Sequence, residues 1–322
     1  MTTAPTGGLL AVHAHPDDES LATGALLATW AAAGRPVTVV TATRGERGEV
    51  IGRRWAHLEG DGPALAEHRV GELAGALAAL GVTDHGFLDE VAGHGTRYED
   101  SGMAWVGATR AGALEDVPPA AFVVASLEDA ADALARVLRS RRPDVVVTYE
   151  PGGGYGHPDH VRAHEVTQLA LELAAREADD VGPAHAVPVA LWAAQGRTTL
   201  RRAHVALAGD AVLAALGPTV ETLELPDPAA EPASVAVLDD ELDVVVDVAP
   251  VRDRLLAALR AHATQVQAVR AVDGDPALLA CYALSNRVLA PVLPVEAYRY
   301  APGSLRAEQA LLAWPAGVRP VA

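Results

Sequence analysis

Residues 9–34 read LLAVHAHPDDESLATGALLATWAAAG: an apolar run, a polar knot, then a long Ala- and Leu-rich stretch. Leu9 to Ala14 has the length and unbroken apolarity of a strand buried on both faces. Leu21 to Ala33 reads as a helix, with Gly34 placed to end it in the left-handed conformation. The polar residues His15, Asp17, Asp18 and Glu19 therefore fall where a strand turns into a helix.

The same rhythm continues outward. Pro36 to Thr43 is a second strand, and Ala64 to Leu80 a second helix that stops at Gly81. A strand follows near Thr83 to Leu88, a helix over Ser126 to Arg142, a strand over Asp144 to Tyr149 and a helix over Pro158 to Ala178. Strands alternating with helices indicate βαβ units. The expected class is α/β: a Rossmann-like, mostly parallel sheet with helices on both faces, plus a smaller α/β C-terminal part. The second half is less regular, with Pro-rich connections at 183–189 and 226–232, a strand over Leu242 to Val248 and a helix over Val251 to Ala271. A soft boundary near residue 180 divides the chain into 1–180 and 181–322. No repeat of 20–50 residues occurs. Two long polar stretches, Arg44 to Asp61 and Val91 to Pro119, interrupt the rhythm, and loops of that length commonly carry function.

Composition narrows the partners. Of 322 residues 50% are apolar and 21% charged, which suits a packed core rather than a disordered chain. Asp and Glu number 42 against 25 Lys and Arg, a net charge of −17, which argues against nucleic acid and against an anionic membrane surface. Cys281 is the only cysteine, so neither an intramolecular disulfide nor a Cys-rich zinc site is possible. No apolar run reaches the ~18–20 residues of a membrane span, and Met1 to Gly8 lacks the features of a secretory signal. A cytoplasmic protein is expected, with its oligomeric state left open.

Chemistry collects at two strand ends. Ligands of open α/β sheets bind beyond the carboxyl ends of the strands. The first strand runs into His15-Pro16-Asp17-Asp18, and the Asp144 to Tyr149 strand runs through a glycine-rich turn into His157-Pro158-Asp159-His160. Proline suits the first position of a helix, and residues three apart share a face of its first turn. His15 can then meet Asp18, and His157 can meet His160. Three nitrogen or oxygen ligands with an open position make a catalytic metal site, where a water is acidified and Asp17 could accept its proton. Spacing leaves four ligand candidates, His15, Asp18, His157 and His160, and does not say which is left over; an imidazolium beside the metal would stabilise an oxyanion. One such triplet alone would be read as polar residues at a helix start, but two matching ones are not so easily dismissed. The 152–156 glycines invite a phosphate-loop reading as well. Neither the dinucleotide nor the P-loop spacing is met, and the carboxylates after the first strand would repel a pyrophosphate.

At these residues the chain resembles the PIG-L/LmbE family of zinc-dependent N-deacetylases, through AHPDDE at 14–19 and GHPDH at 156–160. GEVIG at 48–52, DSGM at 100–103, AHATQV at 261–266 and ALSN at 283–286 extend the likeness over nearly the whole chain. The resemblance implies metal ligands His15, Asp18 and His160, with Zn2+ expected and Fe2+ compatible with the same donors. It implies Asp17 as general base and His157 as the charged group that steadies the oxyanion. Tyr155 would polarise the amide carbonyl, Asp159 would hold and tune His157, and Arg69, Asp100 and Glu46 would contact the substrate. The activity implied is hydrolysis of the acetamide of N-acetylglucosaminyl-inositol, a small amino-sugar glycoside, in mycothiol biosynthesis. Alternatives are an amidase of mycothiol S-conjugates or a deacetylase of another N-acetylglucosaminyl compound, such as an antibiotic intermediate. On this reading residues 1–180 form the catalytic part and 181–322 complete the substrate pocket. Arg44 departs from the family pattern at the site mouth, as does the 93–105 segment. His262 is expected as a partly buried helix residue, with a role near the site as the alternative that the resemblance implies, His13 as either core or a neighbour of the ligands, and Cys281 as a small buried hydrophobe. His57, His68, His85, His94, His164, His185 and His204 show no partner spacing.

Overall fold

The computed structural model describes residues 7–92, 97–106, 110–112, 117–176, 182–310 and 312–321. Strands β1 (Leu9–His13), β2 (Val37–Thr41) and β3 (Asp84–Phe87) come first; β4 (Ala104–Val106) and β5 (Arg110–Gly112) make a small antiparallel pair. Then follow β6 (Val145–Thr148), β7 (Val189–Gly196), β8 (Ala236–Val237), β9 (Val244–Asp247), β10 (Gln267–Ala271), β11 (Ala280–Ala283), β12 (Leu289–Val292), β13 (Val295–Tyr300) and β14 (Val318–Pro320). The main sheet has the order β14-β9-β13-β7-β6-β1-β2-β3, with β8 beside the end of β7. From β7 to β3 the pairing is parallel, with Leu9 opposite both Val37 and Val145. β13, β9 and β14 are added antiparallel. The expected mostly parallel α/β sheet is present.

Successive side chains of β1 go to opposite faces. Leu9 and Ala11 join a core under the helices Gly24–Ala32, Gly62–Leu80 and Arg252–Ala261, while Leu10 and Val12 join a second core under Leu127–Arg141 and Pro158–Ala174. Each fully buried leucine contributes roughly 1.5–3 kcal/mol of apolar burial. Local signals set the helix ends. Asp61 accepts the Ala64 N–H at 3.1 Å and Ser126 accepts that of Asp129 at 3.1 Å, caps worth about 1 kcal/mol each. Gly81 ends the Gly62–Leu80 helix at φ 85°. From β1 the chain winds outward through β2 and β3, then returns to place β6 on the other side of β1. The crevice at that reversal lies beyond the carboxyl ends of β1 and β6, where both histidine motifs begin.

Three expectations need correction. The helix expected over Val251 to Ala271 stops at Ala261, and residues 267–271 form β10. The chain turns because His262 and Thr264 are drawn inward to Glu19 and Glu72, and the His262 carbonyl accepts the N–H groups of Gln265 and Val266. The boundary near 180 falls within one sheet, since β7 pairs with β6 and the second half supplies β7, β9, β13 and β14. What stands apart there is the antiparallel sheet β10-β11-β12, whose core includes Cys281, fully buried as expected. The helix expected to reach Ala178 ends at Ala174, and 177–178 lie outside the described residues, as does the 93–96 part of the departing loop with His94. Among the described residues no single helix is long and apolar enough to cross a membrane.

Candidate metal centre

Two backbone devices deliver the polar side chains. After β1 the chain crosses the sheet edge and enters the short helix Asp18–Ala22. After β6 it bends through Gly153, Gly154 and Gly156 at φ 67°, 74° and 92°. Only glycine takes these angles freely, and at Gly153 a side chain would also meet the Val161 nitrogen at 2.8 Å. Pro158 then opens the helix Pro158–Ala174 with His157 at its cap, where Nδ1 accepts the Asp159 N–H at 3.1 Å.

His15, Asp18, His157 and His160 converge, all buried. Asp18 lies between two imidazoles: Oδ2 is 3.3 Å from His15 Nδ1, and Oδ1 is 3.2 Å from His160 Nε2. Donor atoms of His15, His157 and His160 fall within 4.8 Å of one another. Hydrogen bonds on the far side of each ring assign its lone pair. His160 Nδ1 donates to the Gly153 carbonyl at 3.1 Å, so neutral His160 carries its lone pair on Nε2. That nitrogen is buried without a hydrogen-bond partner, although Asp18 is near. His15 Nε2 is 3.2 Å from Asp159 Oδ2 and 3.6 Å from Asp100 Oδ1, which turns the Nδ1 lone pair toward Asp18. Imidazole nitrogens this close to a carboxylate need a positive charge between them, either a proton or a cation. The donor set therefore fits a divalent cation, with carboxylate and carbonyl partners behind the imidazoles as metal sites have. His157 differs: its Nδ1 lone pair is taken by the Asp159 N–H, which leaves Nε2 as a donor.

Burial works to lower the His15 pKa, but Asp100, Asp159 and Asp18 outweigh it and hold the ring well above its usual value. Burial works to raise the Asp18 pKa, yet His160 and His15 keep the carboxyl well below the usual range. His157 is held well below its usual value, first by burial and then by His15 and His160. The Asp159 expectation changes. Its carboxylate meets His15 and Ser101, accepting the Ser101 N–H at 2.9 Å and hydroxyl at 2.5 Å, and only its backbone N–H reaches His157.

Asp17 sits at the edge of this cluster with φ 126° and ψ −32°, a conformation costing a non-glycine residue on the order of 1–3 kcal/mol. Its N–H donates to Glu19 Oε2 at 2.9 Å, and its Oδ2 lies 3.3 Å from Arg69. Burial pushes the carboxyl up to about 6, against the opposing pull of Arg69 and with Asp18 adding to the rise. Arg69 is buried and also donates to the carbonyls of Gly45, at 2.8 Å, and Pro16.

Asp17, His15, His157, Arg69, Asp100 and Tyr155 share a polar cleft of about 70 Å³ with Gln265 and the 47–49 backbone turn. A more apolar cavity of about 220 Å³ lies on the other side of Tyr155, touching Asp18 and His160. The Tyr155 ring stands edge-on to both His157 and His160, with centroids 6.1 and 5.1 Å away. Glu46 is not in the lining of the cleft: its carboxylate is bound to Arg97, at 2.8 Å, and to the Asp100 N–H, at 3.3 Å, and so holds the loop that carries Asp100. Arg44 faces away as well, paired with Asp89 and Glu90 and lying 3.9 Å over the Phe87 ring. His13 is buried core with Nε2 2.9 Å from the Thr23 hydroxyl, its pKa lowered to about 4 by burial.

Several site neighbours escape a sequence reading. Tyr149 stacks on His160, centroids 4.2 Å apart, and its hydroxyl accepts the Ala14 N–H at 2.9 Å. Its position as the first residue after β6 was the available signal. Ser101 lies inside DSGM and Glu19 inside AHPDDE, both quoted motifs, but their partners are 58 and 243 residues away. His262 is fully buried against Glu19, not partly exposed on a helix.

Comparison with known proteins extends these observations. A family model described as GlcNAc-PI de-N-acetylase (PIG-L) matches residues 10–171. The chain is 48% identical to a 1D-myo-inositol 2-acetamido-2-deoxy-alpha-D-glucopyranoside deacetylase of Kineococcus radiotolerans, over 92% of this chain and 77% of that one. Proteins of the same description from Saccharopolyspora erythraea and Rhodococcus erythropolis are 45% and 42% identical, covering 94% of this chain and 92% and 94% of theirs.

Proposed function

Because this chain belongs to the GlcNAc-PI de-N-acetylase (PIG-L) family, we propose that it hydrolyses the acetamide of 1D-myo-inositol 2-acetamido-2-deoxy-α-D-glucopyranoside to acetate and the free amine. The motif resemblance assigns that step to mycothiol biosynthesis. One observation carries the chemistry: a buried carboxylate, Asp18, flanked by imidazole nitrogens at 3.3 and 3.2 Å, with the high-pKa Asp17 next to it in the chain.

His15 through Nδ1, Asp18, and His160 through Nε2 would hold the cation, and their donor chemistry suits zinc, with ferrous iron also acceptable. When bound, such an ion polarises the amide carbonyl and acidifies a water. Asp17 takes a proton from the attacking water as its oxygen bonds to the acetyl carbon. A carboxyl near 6 is ionised at neutral pH yet basic enough for this transfer. His157 offers its Nε2–H to the oxyanion, and the growing negative charge raises the ring's affinity for a proton. Tyr155 supplies a second donor, its hydroxyl. As the tetrahedral adduct collapses the C–N bond breaks, and the proton that Asp17 took from the water goes to the departing amine. Arg69 keeps Asp17 oriented, while Asp100 steadies His15 from behind and lines the cleft where sugar hydroxyls would bind.

Acetate release from N-acetylglucosaminyl-inositol, N-acetylglucosamine and a mycothiol S-conjugate, with metal content measured on the same sample, tests the proposal. Turnover is expected to be highest on the inositol glycoside. Preferred cleavage of the conjugate, or no acetate from metal-replete protein, would contradict it.

A further inference from the structure

We propose that Glu19 and His262 are a buried positioning pair that fixes the backbone, and through it the carboxylate, of Asp17. The inference rests on the reading of Asp17 as the base. Asp17 holds φ 126°, and such a conformation persists only where its surroundings over-determine it. Three features do so. The Asp17 N–H is received by Glu19 Oε2 at 2.9 Å. Glu19 is itself gripped through Oε1, by the Ser20 hydroxyl at 2.5 Å and by His262 Nε2 at 2.7 Å, with both Glu19 and His262 fully buried. His262 is set by the turn that ends its helix, where Thr264 donates its N–H and hydroxyl to Glu72 at 2.8 and 2.7 Å.

Glu19 and His262 do not line the polar cleft, so they act on the reaction through Asp17 rather than on substrate. A pair with no such role would be an expensive thing to bury: two ionisable groups, 243 residues apart, taken fully out of water. His262 Nδ1 has no hydrogen-bond partner, so the contact depends on the Nε2 position alone. That makes the proposal testable with two polar replacements of similar bulk. The glutamine amide nitrogen reaches the Nε2 position, and the asparagine nitrogen reaches only that of Nδ1.

The experiment compares His262→Asn and His262→Gln, each alone and combined with Asp17→Ala, by kcat, KM, metal content and thermal midpoint. His262→Asn is expected to lower kcat by about 10²-fold, as displacement of a reacting group does. KM should stay within about twofold and metal content should not change, whereas His262→Gln should recover most of kcat. In the Asp17→Ala background His262→Asn should cost almost nothing more, because the pair acts only through the residue already removed. Equal loss in the two single variants, or a full further 10²-fold loss in the double variant, overturns the pairing. Near-normal turnover by Asp17→Ala alone would instead sink the base assignment, which separates the two failures. A metal content that falls in His262→Asn would assign the pair to cation binding and also overturn the proposal.

Discussion

Replacing Arg44 by methionine should destabilise the protein while leaving substrate binding intact. The Arg44 side chain is buried, and its partner Asp89 is equally so. Asp89 Oδ1 already lacks a hydrogen-bond partner, and Oδ2 relies on Arg44 and a long contact from the Tyr98 N–H at 3.3 Å. Glu90, the second partner, has an exposed side chain and adds little. Removing one member of a buried ion pair costs about 3–5 kcal/mol, chiefly because a desolvated carboxylate is left behind. With an unfolding entropy of about 2 cal/mol/K per residue over this length, the thermal midpoint should fall by roughly 4–7 °C. Asparagine at position 89 removes the orphan charge, so R44M/D89N should recover most of that loss. Thermal unfolding followed by circular dichroism measures both, and KM for the acetylated glycoside measures the rest. A midpoint unchanged in R44M would refute the buried-pair reasoning. A tenfold rise in KM would show that Arg44 reaches the substrate after all.

Asp17→Ala should retain its metal and lose on the order of 10²–10⁴ in kcat; acetate release and metal analysis of one preparation decide it. The acid limb of kcat/KM should reflect Asp17, with activity rising with pH through a midpoint near or below 6. A bound cation favours the anion and moves the limb down, so a limb above neutrality would contradict the assignment. Dialysis against a chelator should abolish turnover and lower the thermal midpoint, and zinc or ferrous iron should restore both; full activity with the metal demonstrably gone would be incompatible with the mechanism.

The parallel half of the sheet was legible because its strands are continuously apolar and its helices end at glycines such as Gly81, signals that are local in the chain. The two histidine motifs were legible for the same reason, since their spacing is set within a single helical turn. Local patterns could not say which histidine stands apart. That depends on what lies behind each ring: the Gly153 carbonyl behind His160 and the Asp159 amide behind His157. The resemblance gave Asp159 to His157, but folding brings Ser101 and His15 to its carboxylate instead. His262 was read as helical because the apolar period of 251–261 runs smoothly into the next residues. Its inward turn is driven by a glutamate 243 positions earlier. The antiparallel strands β13 and β14 were equally hidden, for they are short and their partners lie far away in sequence; β9 was legible at 242–248 as a strand, but not its antiparallel place beside β13.

Metal content per chain in His15→Ala, Asp18→Ala, His160→Ala and His157→Ala, purified alike and checked for folding, is the most direct measurement. The first three are expected to lose the cation, whereas His157→Ala should keep a full complement and lose turnover. Retention of metal by His15→Ala or His160→Ala, or its loss from His157→Ala, would contradict the assignment of the lone pairs on which the centre is built.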